Sequence, residues 1–142
     1  VNHQGEFTRN LKTHRPVKWM SLLYTFIQST SFFFKKDIIN DNHLLDKNLH
    51  YCMDMEFFAR LLYEGYTFRH IDDYFACFRW HDSNKSSPTK ETLKKNIQEG
   101  FYIINKTKQV NLSMSPTNIA LYQLAINLLA RPVRRMMVLF HV

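Results

Sequence analysis

The chain has 142 residues, 45% hydrophobic and 15% aromatic, enough to bury one modest core and within the usual size of a single domain. A formal net charge of +7 points to an anionic partner: a phosphate-bearing ligand, an acidic lipid surface or nucleic acid. The basic residues come as scattered pairs (Lys35-Lys36, Lys94-Lys95, Arg134-Arg135) with no legible nucleic-acid-binding motif, which argues against nucleic acid.

Residues 1–20 are polar and basic, punctuated by Gly5 and Pro16, and read as a loop. The chain opens at Val1 without a methionine or an apolar leader, so it is expected to start inside a longer protein or a processed one. Trp19 to Phe26 predicts a short buried helix or a turn of one, and the aromatic, hydroxyl-rich run Ser29 to Lys35 predicts a strand. Ile38 to His50 is rich in Asn and Asp and holds at most a short helical turn. Asp54 to Glu64 places Phe57, Phe58, Leu61 and Leu62 at helical spacing and stops at Gly65, suited to a left-handed C-terminal cap. Tyr66–His70 and Tyr74–Trp80 read as strands around Asp72-Asp73. Thr89 can cap a helix carrying Leu93, Ile97, Gly100, Phe101 and Ile104 on one face. Ser115-Pro116 opens a last helix that Pro132 is expected to break. Its apolar stretch, Ile119 to Ala130, is too short for the ~20 residues of a membrane span. Cys52 and Cys77 are too few for a disulfide scaffold, which makes a reducing cytoplasmic setting the expectation. His50, Cys52 and His81 lack the spacing of a zinc site.

The segments IQSTSFFFKK and LLDKNLHYCMDMEFFARLLYEGYTFRHIDDYFACFRWHDSNKS stand in an order that resembles the acceptor half of bacterial family 2 glycosyltransferases. That pattern runs Q-x-(S/T/A)-x-F, a basic pair, L-D-x-x-L, an aspartate before an x-x-(L/F)-x-x-R helix, then G, then a late R-x-H-x-x-S. The resemblance implies a mixed α/β fragment, the C-terminal half of a GT-A domain. Short strands with flanking helices would fill residues 1–88, and a helical extension residues 89–142. The nucleotide-binding half with its D-x-D motif is expected to be missing: no D-x-D with a preceding hydrophobic strand is found, and Asp72-Asp73 lies late, between strand-like runs.

By the same resemblance Asp54 is the catalytic base, at a helix N-terminus whose dipole would favour its ionised form. Read from the residue alone, an ordinary helix N-cap is the favoured role, and it is the resemblance that reverses the order. Where many members place Glu before this aspartate, this chain has Met53. His81 matches a histidine that contacts metal or diphosphate, and imidazole suits manganese. Arg79, Ser83, Lys85 and Ser86 offer donors for phosphate oxygens, Gln28 matches a glutamine near the donor cleft, and Trp80 can stack on a sugar or base or simply pack. Arg60 is expected to pair with Glu56 four residues earlier, while Phe57, Phe58 and Phe32 to Phe34 default to core.

The implied activity is metal-dependent, inverting transfer of a sugar from a nucleotide-sugar to a hydroxyl of a glycan or lipid-linked glycan in cell-surface polysaccharide synthesis. The divalent cation, manganese or magnesium, would be held mostly by the other half, and this chain alone is expected to be inactive. The other reading is a non-catalytic basic module that binds phosphate-rich or membrane partners. The surplus apolar residues from Ile119 onward, the arginines Arg131, Arg134 and Arg135, and the apolar run Met136 to Phe140 imply peripheral contact with an acidic inner membrane face. Packing on the other half or on a second copy accounts for them equally well.

Overall fold

The computed structural model describes residues 1–142 apart from 3, 9, 12, 82, 83, 86–88 and 140–142. Its regular structure is helical: 3-10 turns at Met20–Leu22 and Ser29–Ser31, then helix α1 (Asp37–Asn40), α2 (Met53–Glu64), α3 (Lys90–Lys108) and α4 (Pro116–Ala125). A π-helical turn, Ile126–Ala130, joins α4 to α5 (Arg131–Leu139).

No β-strand occurs among the described residues, which overturns the expected α/β class and the sheet of a GT-A half. Each predicted strand has a local reason for its absence. Ser29–Ser31 folds into a 3-10 turn, closed by the Ser31 amide donating to the Gln28 carbonyl at 2.9 Å. Serine and threonine hydroxyls compete for backbone partners and favour such turns. Residues 66–80 have strand-forming side chains but build no ladder among the described residues, and an isolated strand has no stability of its own. Their described contacts with the start of the chain include the Val1 ammonium donating to the Phe78 carbonyl at 2.9 Å and the Trp80 amide donating to the Val1 carbonyl at 2.9 Å.

Helix α2 is the centre of the molecule. Met55 to Ala59 are buried without a break, because α2 is covered on two sides. On one side Met55 and Ala59 pack with Leu22, Leu49, Cys52 and Ile103, joining the first turn, α2 and α3. On the other, Phe57, Phe58 and Leu61 meet Ile27, Phe32, Ile38 and Phe68. Phe32 stands at 4.6 Å from the Phe58 ring and 5.5 Å from Phe68. Of the two other phenylalanines expected in this core, Phe33 is exposed, since the chain is extended at Phe32 and alternate side chains point apart. Phe34 returns to the side of Phe32 and meets the Phe57 ring at 5.9 Å, with part of its own surface still exposed.

Gly65 ends α2 at φ 97°, in the left-handed cap its position predicts. Thr89 caps α3 by accepting from the Thr92 amide, and Ser115 caps α4 by accepting from the Asn118 amide ahead of Pro116. Pro132 does not break the last helix. The π-helical turn just before it, where the Arg131 amide reaches back to the Ile126 carbonyl, widens the ladder and lets the helix run on through the residue that has no N–H to give.

Candidate active-site cleft

An open cleft of about 1790 Å³ runs between the extended segments and the helices. It is larger than the roughly 300–1,000 Å³ of a single small-ligand pocket and has room for two substrate parts. Gln28, Asp54, Trp80 and Lys85 all line it. Arg79 and His81 are exposed and are not among its lining residues. Their carbonyls both meet Asn84: its amide donates to His81 at 3.1 Å and its side chain to Arg79 at 3.0 Å. Ser83 and Ser86 lie outside the described residues.

Asp54 sits in the first turn of α2 but does not cap it. Cys52 occupies the N-cap position and makes no side-chain cap bond. The amides ahead of the helix are taken instead by Glu99 of α3, which accepts from His50 at 3.0 Å, Tyr51 at 2.8 Å and Cys52 at 2.7 Å. Glu99 thus supplies an anion just ahead of the helix, a place that favours negative charge, and Asp54 is left with the amides of the first turn itself. One Asp54 oxygen accepts from the Met55 amide at 2.8 Å.

Burial raises the Asp54 carboxyl above the ordinary aspartate value, against the lowering pull of its backbone hydrogen bonds. The expected dipole effect is therefore outweighed. Beside it, burial first and then the charges of Glu99 and Asp54 push the Cys52 thiol up to about 12, so this cysteine is an inert packing residue at neutral pH.

Arg60 is structural, as its spacing implies. It donates through Nε to buried Glu56 at 2.9 Å and through Nη2 to the Leu44 carbonyl at 2.7 Å. Lys106 of α3 reaches the same Glu56 at 2.9 Å and Asp46 at 2.6 Å, tying α2 and the loop before it to α3. Burial opposes the Lys106 charge, but the hydrogen bonds from Asp46 and Glu56 outweigh it and raise its pKa.

Several wall residues escaped the sequence reading. His14 is buried against Phe26, the rings stacked at 4.8 Å. Its Nδ1 lies 2.7 Å from the Arg15 carbonyl, which can only accept, so Nδ1 carries the proton and Nε2 accepts from the Tyr24 hydroxyl at 3.0 Å. Burial lowers the His14 pKa and raises that of Tyr24 to about 12, keeping both neutral. Leu93 and Asn96 of α3, Tyr122 of α4 and Arg131 of α5 complete the wall, so the segment beyond residue 89 closes the same cleft. The signal for α3 was present: Asn96 and Glu99 are polar residues flanking the apolar face of Ile97 and Gly100.

Among the described residues, no group of three or more His, Cys, Asp or Glu side chains comes together that could hold a metal ion. By themselves these residues do not fit a divalent cation. No helix among them is long and apolar enough to cross a membrane. No protein-family model matches the chain, and neither the curated proteins nor the solved structures give a match.

Proposed function

We propose that the chain is the acceptor-side part of an inverting sugar transferase, moving a sugar from a nucleotide-sugar to a hydroxyl of a glycan or lipid-linked glycan. The motif order supports this reading, and one observation carries it: Asp54 lines a large cleft and has its carboxyl raised by burial. A general base works best with a pKa nearer the operating pH than a free aspartate has.

In this reading the acceptor hydroxyl gives its proton to the Asp54 carboxylate as its oxygen attacks the anomeric carbon. The bond from that carbon to the diphosphate breaks on the opposite face, and the nucleoside diphosphate leaves with the bonding pair, so the configuration inverts. Lys85 offers an ammonium to phosphate oxygens, Trp80 a half-exposed ring for stacking, and Gln28 an amide to orient a sugar hydroxyl. A divalent cation, held outside this chain, would supply charge neutralisation at the departing diphosphate.

The test is acceptor-dependent release of nucleoside diphosphate from a panel of nucleotide-sugars, followed against pH. The protein used carries this chain together with a donor-binding half. The rate should fall on the acid side with a midpoint above the ~3.9 of a free aspartate. A panel with no acceptor-dependent release would favour the non-catalytic phosphate-binding module.

A further inference from the structure

We propose that the outer face of α4, the π-helical turn and α5 docks on an anionic lipid bilayer. The inference stands independently of the sugar-transfer reading, because it rests on surface chemistry alone. Leu121, Leu124 and Leu128 recur at the spacing of one helical stripe, and with Leu129 each is at least half exposed. Met136 and Leu139 continue the apolar exposure along α5, at 59% and 72%. A soluble surface rarely leaves so many large apolar side chains uncovered along one continuous element.

Charge selects the occupant. From Gly100 to Val142 the sequence contains no aspartate or glutamate, while Arg131, Arg134 and Arg135 of α5 are basic and exposed. An apolar stripe set in a purely cationic segment matches a lipid surface, where apolar side chains enter the acyl boundary and arginines meet the headgroup phosphates. Pro132 does not interrupt this surface, because the helix continues through it.

The orientation has a consequence for the cleft. Arg131, Met137 and Val138 line the cleft while Met136 and Leu139 of the same helix are exposed. Helix α5 is therefore shared between the outer face and the cavity, and docking would bring the cleft mouth close to the bilayer. A lipid-linked molecule could then reach the cavity without leaving the membrane.

The experiment is co-sedimentation of the protein with phosphatidylglycerol-containing vesicles and with pure phosphatidylcholine vesicles, at low and high salt. Binding should require the acidic lipid and weaken with salt. Arg134→Gln/Arg135→Gln should reduce the partition coefficient by roughly 25-fold, about fivefold per arginine at an acidic leaflet. Leu124→Glu/Leu128→Glu changes only exposed positions and should abolish binding, with circular dichroism confirming the helix content. Equal binding to neutral vesicles, or binding unchanged in both variants, would overturn the proposal. So would a wild type that ignores vesicles and sediments as an oligomer that Leu124→Glu/Leu128→Glu dissociates, which would make a second copy the occupant.

Discussion

At the scale of single residues, burial moves the pKa of His14 down and that of Asp54 up, and each shift gives stability a pH dependence of known sign. His14 is buried neutral, with its pKa lowered chiefly by burial. Between its folded and unfolded values the unfolded chain binds more protons, so this contribution is present above ~6.5 and is lost as pH falls through the folded value. Replacing His14 with Gln removes the titration. The stability gap between wild type and His14→Gln should therefore narrow as pH falls from about 7.5 to about 5.5 in thermal melts. A gap that stays constant would mean that His14 is not held neutral. Asp54 has the opposite sign: its raised pKa makes the folded state bind the proton more tightly, so its contribution is favourable below ~3.9 and is lost as pH rises through the folded value. Asp54→Asn keeps an oxygen for the Met55 amide and drops the buried charge. The variant should be more stable than wild type at pH 7, with the advantage vanishing below the ~3.9 of a free aspartate. Denaturant unfolding at pH 7 and below that value measures this, and a less stable variant at pH 7 would count against a strained carboxylate.

At the scale of elements, the helices were legible because their signals are local. Gly65, Thr89 and Ser115-Pro116 mark boundaries through cap chemistry that needs no tertiary partner, and each boundary falls where those residues place it. The strands were not legible, because a ladder is a property of two segments and sequence shows only one at a time. Tyr66–His70 and Tyr74–Trp80 have the composition of strands and fold without one. Pro132 misled for a related reason, since the π-helical turn that accommodates it depends on backbone geometry that has no residue signature. The packing of α4 on α3 also depends on one glycine that composition does not single out. A Cβ at Gly100 would overlap the Tyr122 hydroxyl and lie 3.0 Å from its ring carbon Cζ. That hydroxyl donates to the Leu23 carbonyl at 3.2 Å, so the ring has a reason to stay. In an exposed helix Gly→Ala would gain about 1 kcal/mol. Here Gly100→Ala should instead destabilise by about 1–3 kcal/mol through overpacking, measurable by chemical denaturation. A stabilised Gly100→Ala would show that Tyr122 moves aside freely.

At the scale of the whole molecule, part of the candidate site came from motif order and part only from the fold. Gln28, Asp54 and the stretch holding Trp80 and Lys85 are well separated in sequence and line one cleft, while Arg79 and His81, on either side of Trp80, are not among its lining residues. Motif spacing does not encode which side of the backbone faces a cleft. The role of Glu99 was hidden for the same kind of reason: it serves α2 from a helix more than forty residues away, by occupying the amides of His50, Tyr51 and Cys52. Asp54 lines the cleft from the first turn of the helix that Glu99 braces. The most direct measurement is therefore acceptor-dependent nucleoside diphosphate release by Asp54→Asn, in a protein that also carries the donor-binding half. An amide of the same shape cannot take a proton, so turnover should fall by about 10²–10⁴-fold while donor binding and helix content stay at wild-type levels. A correctly folded Asp54→Asn protein turning over near the wild-type rate would contradict the assignment of Asp54 as the base.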